Sequence, residues 1–155
     1  MESDFYPSPL EHLDDIDQYI IDALRKDGRE AFSQIAEQLK VSPGMIRQRY
    51  NRLVETGCLK VLAITNPMQY GFKTMAMIGI RTDGQRMLQV AEQVAALKEV
   101  IYLIVVSGRY DLMAEVFCRD QEELLTFLTQ KLSAIEGVRE TESFMHLKIV
   151  KEIYF

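Results

Sequence analysis

The sequence predicts an α+β chain built from two modules, a helical one followed by one whose elements run β-α-β-β-α-β. Three observations predict it. Apolar residues recur at three- and four-residue spacing through the first third of the chain. The pair Ser42-Pro43 sets a helix start within that third, just after a short turn. Beyond Gly57, short β-branched runs alternate with helical segments.

A length of 155 residues fits one ordinary domain or two small ones, and 48% apolar with 26% charged residues is ordinary for a globular protein. Residues 1–12 read as a flexible arm: Pro7 and Pro9 interrupt it and it lacks apolar periodicity, although Phe5 and Tyr6 are available to dock on a partner. The longest apolar run, Val100 to Val106, has seven residues, whereas a bilayer span needs roughly 20. The start is acidic at Glu2 and Asp4 and shows no secretory pattern, so a cytoplasmic location without membrane contact is expected. Cys58 and Cys118 fall in no Cys-x-x-Cys or Cys/His spacing, which points to reduced, partly buried thiols rather than a disulfide framework or a zinc site. No cofactor is expected.

The first module spans 13–58. Leu13 to Lys26 repeats Ile16, Tyr19/Ile20 and Ala23/Leu24 on one helical face, with Asp14, Asp15 and Asp17 at the positive end of the dipole and Gly28 as a stop. A second helix fits Ser33 to Lys40, with Ile35, Ala36 and Leu39 inward. The third runs from Pro43 to Glu55, because Ser42 can cap free N–H groups while proline at the first helical position sacrifices no hydrogen bond. Its apolar positions are Met45/Ile46, Tyr50, Leu53 and Val54.

A net charge of −5 counts against binding to phosphates, but distribution matters more than the sum. Residues 1–58 carry seven basic and eleven acidic side chains, yet Gln38 to Val54 holds Lys40, Arg47, Arg49 and Arg52 and no acid. The face opposite the apolar stripe presents Gly44, Arg47, Gln48, Asn51 and Arg52, with Arg49 at the boundary. This is the winged-type helix-turn-helix pattern, and it predicts double-stranded DNA as a partner. Arg47 and Gln48 are placed to meet base edges; Ser42, the Gly44 N–H, Arg49 and Arg52 are placed to meet phosphates; Asn51 shares their surface, and Met45, though on the apolar stripe, is counted with the DNA contacts as part of the helix's first turn. The alternative is a merely solvated face of a three-helix unit, against which the acid-free stretch weighs.

Leu59 to Thr65 reads as a strand broken by Asn66-Pro67, and 59–72 as a linker strand and loop. In the second module, 73–155, strands are predicted at Lys73 to Arg81, Val100 to Val106, Leu112 to Cys118 and Thr141 to Val150. Helices are predicted at Gln85 to Leu97 and Glu122 to Ile135. This β-α-β-β-α-β order is the ferredoxin-like plan, an antiparallel sheet with both helices on one face. Val100 to Val106 offers apolar side chains to both faces, so a second copy of the chain is the expected cover, and a two-fold pair of helix-turn-helix units suits a pseudo-palindromic site. His12 and His146 have no nucleophile or carboxylate at a suggestive spacing, and Met75, Met77, Met87, Met113 and Met145 read as core fillers.

In this order the chain resembles the Lrp/AsnC, or feast/famine, family of transcription regulators. The resemblance rests on Leu13-Asp14-x-Ile16-Asp17, Ile35-Ala36-x-x-Leu39-x-Val41-Ser42, Arg49-x-x-Arg52-Leu53 and Val106-Ser107-Gly108-x-Tyr110-Asp111. Two departures stand out: Met45 replaces a common threonine, and Asn51 an often basic residue. The resemblance implies homodimers that assemble further, to an octamer, with an amino acid bound where dimers meet. The implied ligand contacts are Gly108, Tyr110 and Asp111 in the loop, Thr141 and Ser143 on the last strand, and Ser133 at the end of the preceding helix. An Asp111 carboxylate could accept from an ammonium and a bare Gly108 backbone donate to a carboxylate. The plainer alternative is a hairpin turn, with Gly108 supplying a positive φ and Asp111 the turn former.

Two other functions remain to be weighed: a tetrapyrrole decarboxylase, which shares the two-module layout but needs a convergent cluster of Arg, His and Tyr that this sequence lacks, and a DNA-packaging protein of low sequence specificity.

Overall fold

The structure, a computed structural model, describes residues 13–151. The arm predicted at 1–12, with His12, lies outside the described residues, as do the last four positions. The chain divides into two compact units, with the boundary after Ile64.

The first unit consists of α1 (Asp15–Lys26), α2 (Phe32–Leu39) and α3 (Pro43–Glu55). Helix α1 starts two residues later than predicted because Asp14 is its N-cap: the Asp14 carboxylate accepts from the Asp17 N–H at 2.9 Å and the Asp17 carboxylate accepts from the Asp14 N–H, a reciprocal capping box. Helix α2 closes through Lys40, whose left-handed φ of 54° lets its N–H and that of Val41 return to carbonyls of the last turn. Helix α3 has the predicted bounds, capped by the Ser42 hydroxyl, which accepts from the Met45 N–H at 3.2 Å. Ile20, Leu24, Ile35, Ala36, Ile46, Leu53 and Leu59 form the buried core, and Phe32 packs on Tyr50 at its edge. Met45 and Val54, expected on the apolar stripe, are instead 39% and 40% exposed. Ile46 and Leu53, two turns apart, hold the inward face without them.

The strand expected at Leu59 to Thr65 does not form. Its backbone has no partner strand, and a lone strand leaves its hydrogen bonds to water. Only its start is tied down, by the Leu59 N–H on the Leu53 carbonyl, while Leu62 and Ile64 are exposed. The helical unit therefore carries no wing strand among the described residues.

The second unit contains β1 (Thr74–Thr82), α4 (Met87–Ala95) after a 3₁₀ turn at Gly84–Arg86, β2 (Val100–Val105), β3 (Leu112–Cys118), α5 (Gln121–Thr126) and β4 (Val138–Met145). The strands form one antiparallel sheet in the order β2-β3-β1-β4, the ferredoxin-like arrangement. Alternation sorts the side chains. Ala76, Ile78 and Ile80 lie opposite Val116, Ala114 and Leu112, and all six face Val90 and Val94 of α4 and Leu124, Phe127, Leu132 and Ile135 beyond β3.

The helix predicted at Glu122 to Ile135 is interrupted: α5 passes into a π-helical turn, Phe127–Leu132. Phe127 and Leu132 are both fully buried, yet five residues lie about 140° apart around an α-helix, and the wider turn brings them back to one face. Strand β4 begins and ends earlier than predicted. A bulge between Arg81 and Thr82 extends pairing back to Val138, and past Met145 only the His146 N–H still reaches β1, on the Met75 carbonyl. Met145, expected in the core, is 43% exposed on this edge strand. Cys58, expected partly buried, is exposed, whereas Cys118 is buried.

Candidate nucleic-acid interface and loop pocket

With Ile46 and Leu53 turned inward, α3 presents Ser42, Gly44, Met45, Arg47, Gln48, Asn51 and Arg52 to solvent, and Arg49 half-buried beside them. These are all eight residues assigned to DNA from the sequence, and one amphipathic rod carries them. Gln48, Arg49, Asn51 and Arg52 line a shallow groove along it with Met45 and Glu55.

The charges on this rod are not equivalent. Arg49 reaches both Asp14 and Asp17, the latter at 3.1 Å, and Arg52 pairs with the other oxygen of Asp17. Asp17 is fully buried, so its charge is balanced by two guanidinium groups that tie α1 to α3. The Asp17 N–H and the Arg49 guanidinium hold the Asp14 carboxyl below its usual range, and those carboxylates raise Arg49 in turn. Arg47 makes no ion pair among the described residues. The sequence reading missed this role of Asp14 and Asp17, treating them only as dipole partners; the signal was present in the Asp-x-x-Asp spacing and in the Arg-x-x-Arg spacing of α3.

In the second unit, the β2–β3 loop closes on Gly108, whose φ of 152° leaves a Cβ-free surface open to solvent. Asp111 is held by its surroundings: its N–H donates to the Ile80 carbonyl at 3.0 Å, and its carboxylate accepts from the Thr82 N–H at 2.7 Å and the Thr82 hydroxyl at 3.2 Å. It thus fixes β1 at Thr82, opposite the bulge that Arg139 makes in β4, with both side-chain bonds on one carboxylate oxygen, Oδ2. Three segments, the end of β1, the β2–β3 loop and the start of β4, meet here around a cavity of about 480 Å³, lined by Arg81, Thr82, Gly108, Arg109, Asp111, Arg139 and Glu140. Gly108 and Asp111 are the sequence candidates it brings together. Arg81, Arg109, Arg139 and Glu140 were missed, because only the sheet register places them side by side.

The other ligand candidates lie elsewhere. The Tyr110 ring sits over Gly79 on the sheet face opposite the helices, edge-on to Phe144, with Arg109 5.5 Å from its centre. Its hydroxyl is buried and has no hydrogen-bond partner among the described residues. Thr141 and Ser143 pair with Ile80 and Ile78 and so point to the helix side of the sheet, both exposed. Ser133, also exposed, donates to the Thr129 carbonyl at 2.6 Å. His146 lies 3.8 Å from Glu115. Among the described residues no group of three metal-ligating side chains converges, and no helix is long and apolar enough to cross a membrane.

Comparison with known proteins agrees with this layout. Residues 13–54 match the family model of the AsnC-type helix-turn-helix domain, and residues 75–154 that of the Lrp/AsnC ligand binding domain. An uncharacterized HTH-type transcriptional regulator of Pyrococcus abyssi is 36% identical over 140 residues, spanning 90% of this chain and 89% of that protein. The HTH-type transcriptional regulator LrpA of Pyrococcus horikoshii is 32% identical over 127 residues, 81% of this chain and 90% of that one. Among solved structures, E. coli AsnC superposes with a TM-score of 0.87 at 25% identity, covering 93% of this chain and 98% of that one. A Neisseria meningitidis transcriptional regulator solved as a complex with L-Met gives 0.83 at 23% identity, covering 92% and 94%.

Proposed function

The chain belongs to the Lrp/AsnC family of DNA-binding transcriptional regulators, and on that premise we propose that it reads a specific DNA site as a homo-oligomer whose assembly or DNA affinity responds to an amino acid. The observation that carries the reading is the outward face of α3, where an acid-free run sets Arg47 and Gln48 on the exposed side of a capped helix. An α-helix fits the major groove; arginine and glutamine donate to base edges there, while Ser42 and the Gly44 N–H at the helix start meet phosphates. Arg49 and Arg52 keep spare N–H donors beyond those given to Asp17, so they serve phosphates while remaining anchored.

A second copy covers the open sheet face. Met77, Ile104, Met113 and Phe144 lie there away from the helices and form the apolar patch that it covers. Dimers then assemble further, towards an octamer. The effector is an amino acid, a class supported by the L-Met complex of the fold neighbour, and it binds at the Gly108–Asp111 loop, where Gly108 leaves an open, Cβ-free surface beside the cavity. A ligand shifts assembly only by binding one state better than another. The protein works in the cytoplasm, where its DNA lies, and needs no cofactor. The relatives' names set aside the decarboxylase alternative.

The test is an electrophoretic shift on the DNA upstream of its own coding sequence, with and without each amino acid. Retardation of that DNA over scrambled DNA, altered by one or a few amino acids, is expected. Equal retardation of every sequence with a steep salt slope identifies a packaging protein instead.

A further inference from the structure

We infer that Asp14 is a brake on DNA binding: one of its carboxylate oxygens competes with backbone phosphates for Arg49 and so loosens the protein's grip on DNA of every sequence. The inference rests on the reading of α3 as the DNA-facing helix, and adds a residue of α1 that tunes the contact.

The two oxygens of Asp14 do different jobs. Oδ1 accepts from the Asp17 N–H at 2.9 Å and so caps α1. Oδ2 turns away from the helix and accepts from Nη1 of Arg49. Capping needs only the first oxygen, since serine and asparagine cap a helix as well as aspartate does. What aspartate adds here is the second oxygen and its charge.

Arg49 does not need that oxygen to stay in place. Asp17, which is buried, already anchors it at 3.1 Å, whereas the Asp14 side chain is half exposed. Asp17 fixes where the guanidinium sits, on the groove along α3 that also holds Gln48 and Asn51. Asp14 brings a second carboxylate to the same guanidinium from the solvent side. Together Asp14 and Asp17 balance Arg49 and Arg52, so the four groups offer no net charge to a phosphate. A phosphate arriving at Arg49 must displace Oδ2 or lie beside its negative charge, and either weakens the contact. Phosphate contacts are common to all sequences, so the weakening is general and leaves base reading by Arg47 and Gln48 untouched.

Fluorescence anisotropy of the full-length protein on its upstream duplex and on scrambled DNA, across a salt series, tests this with Asp14→Asn, which keeps an acceptor for the cap and removes the charge. The substitution is expected to tighten binding to both duplexes by a similar factor, about two- to fivefold at low salt, the size of one partly exposed ion pair. It is also expected to steepen the log–log salt slope by about 0.9, the increment of one further phosphate neutralised. Asp14→Ser, a second capping residue, is expected to do the same, so a folding defect in one variant leaves the other to be read. Asp15→Asn removes the same charge from the same exposed turn, at a residue bonded to neither arginine, and is expected to leave the slope nearly unchanged. An unchanged or shallower slope in the Asp14 variants, or an equal effect of Asp15→Asn, overturns the brake and leaves α3 on DNA. Binding of neither duplex by the parent overturns the reading of α3 as well.

Discussion

The Tyr110 ring fills the space that a side chain at position 79 would need: a Cβ on Gly79 would lie 2.7 Å from the ring's Cγ. That is well inside contact distance, and the atoms met are the inner end of the ring rather than a flexible tip. Gly79→Ala is therefore expected to destabilise the second unit by about 1–3 kcal/mol through overpacking. In the Tyr110→Ala background the same change should cost far less, because the clash is gone. Chemical denaturation of the four members of this cycle checks it; additive effects would mean that the ring and the glycine do not share this space.

Asp17 joins α1 to α3 through Arg49 and Arg52, and it is buried. Replacing it with alanine strands two guanidinium groups, one of them about half exposed and so partly relieved by water. A loss of about 2–3 kcal/mol is expected, less than for a wholly buried pair. Hydrogen exchange should show the loss in α1 and α3 and leave the sheet protected. A change below about 0.5 kcal/mol would place these contacts among ordinary surface pairs.

The two thiols should behave oppositely. Cys58 is exposed, whereas burial, aided by the nearby carboxylates of Glu123 and Glu99, raises Cys118 from 9.0 to about 11. Iodoacetamide at pH 8 is expected to label Cys58 within minutes and Cys118 only on unfolding. Since the raised group favours the neutral thiol in the folded state, its contribution to stability is complete below pH 9 and is lost as pH climbs towards about 11. Comparison of Cys118→Ala with the parent across that range reads the effect; equal labelling of both thiols in the native protein would refute the burial.

On the open sheet face Ile104 lies opposite Met113 and Phe144 opposite Met77. A glutamate at 104 or 144 puts a charge into the contact proposed between copies, where desolvation penalises it. Sedimentation should show the parent as a dimer or larger and Ile104→Glu and Phe144→Glu as monomers with native spectra. A monomeric parent would leave this face without the proposed cover.

What could be read from the chain beforehand was what local chemistry fixes. Helix α3 was legible to the residue because Ser42, Pro43 and Gly57 act within one turn of its ends. Strands β1 and β3 were legible within a residue, since Met75 to Arg81 and Leu112 to Cys118 are apolar on the helix side. The misses are long-range. Leu59 to Thr65 has strand composition but no neighbour; the Phe127–Leu132 turn answers to core packing; and β4 shifts because a bulge at Arg139 resets its register. The same holds for the sites. The α3 surface follows from helical spacing alone, whereas Arg81, Arg109 and Arg139 are far apart in sequence and meet only once β1, β3 and β4 are aligned.

In the proposed function α3 reads DNA through Arg47 and Gln48. Fluorescence anisotropy of a labelled duplex from the upstream region, titrated with the parent, Arg47→Ala and Gln48→Ala at several salt concentrations, measures this directly. Each substitution is expected to cost about 1–3 kcal/mol on the cognate duplex, to narrow its margin over scrambled DNA, and to leave thermal stability unchanged. Cognate affinity unmoved by both substitutions would contradict the assignment of this helix.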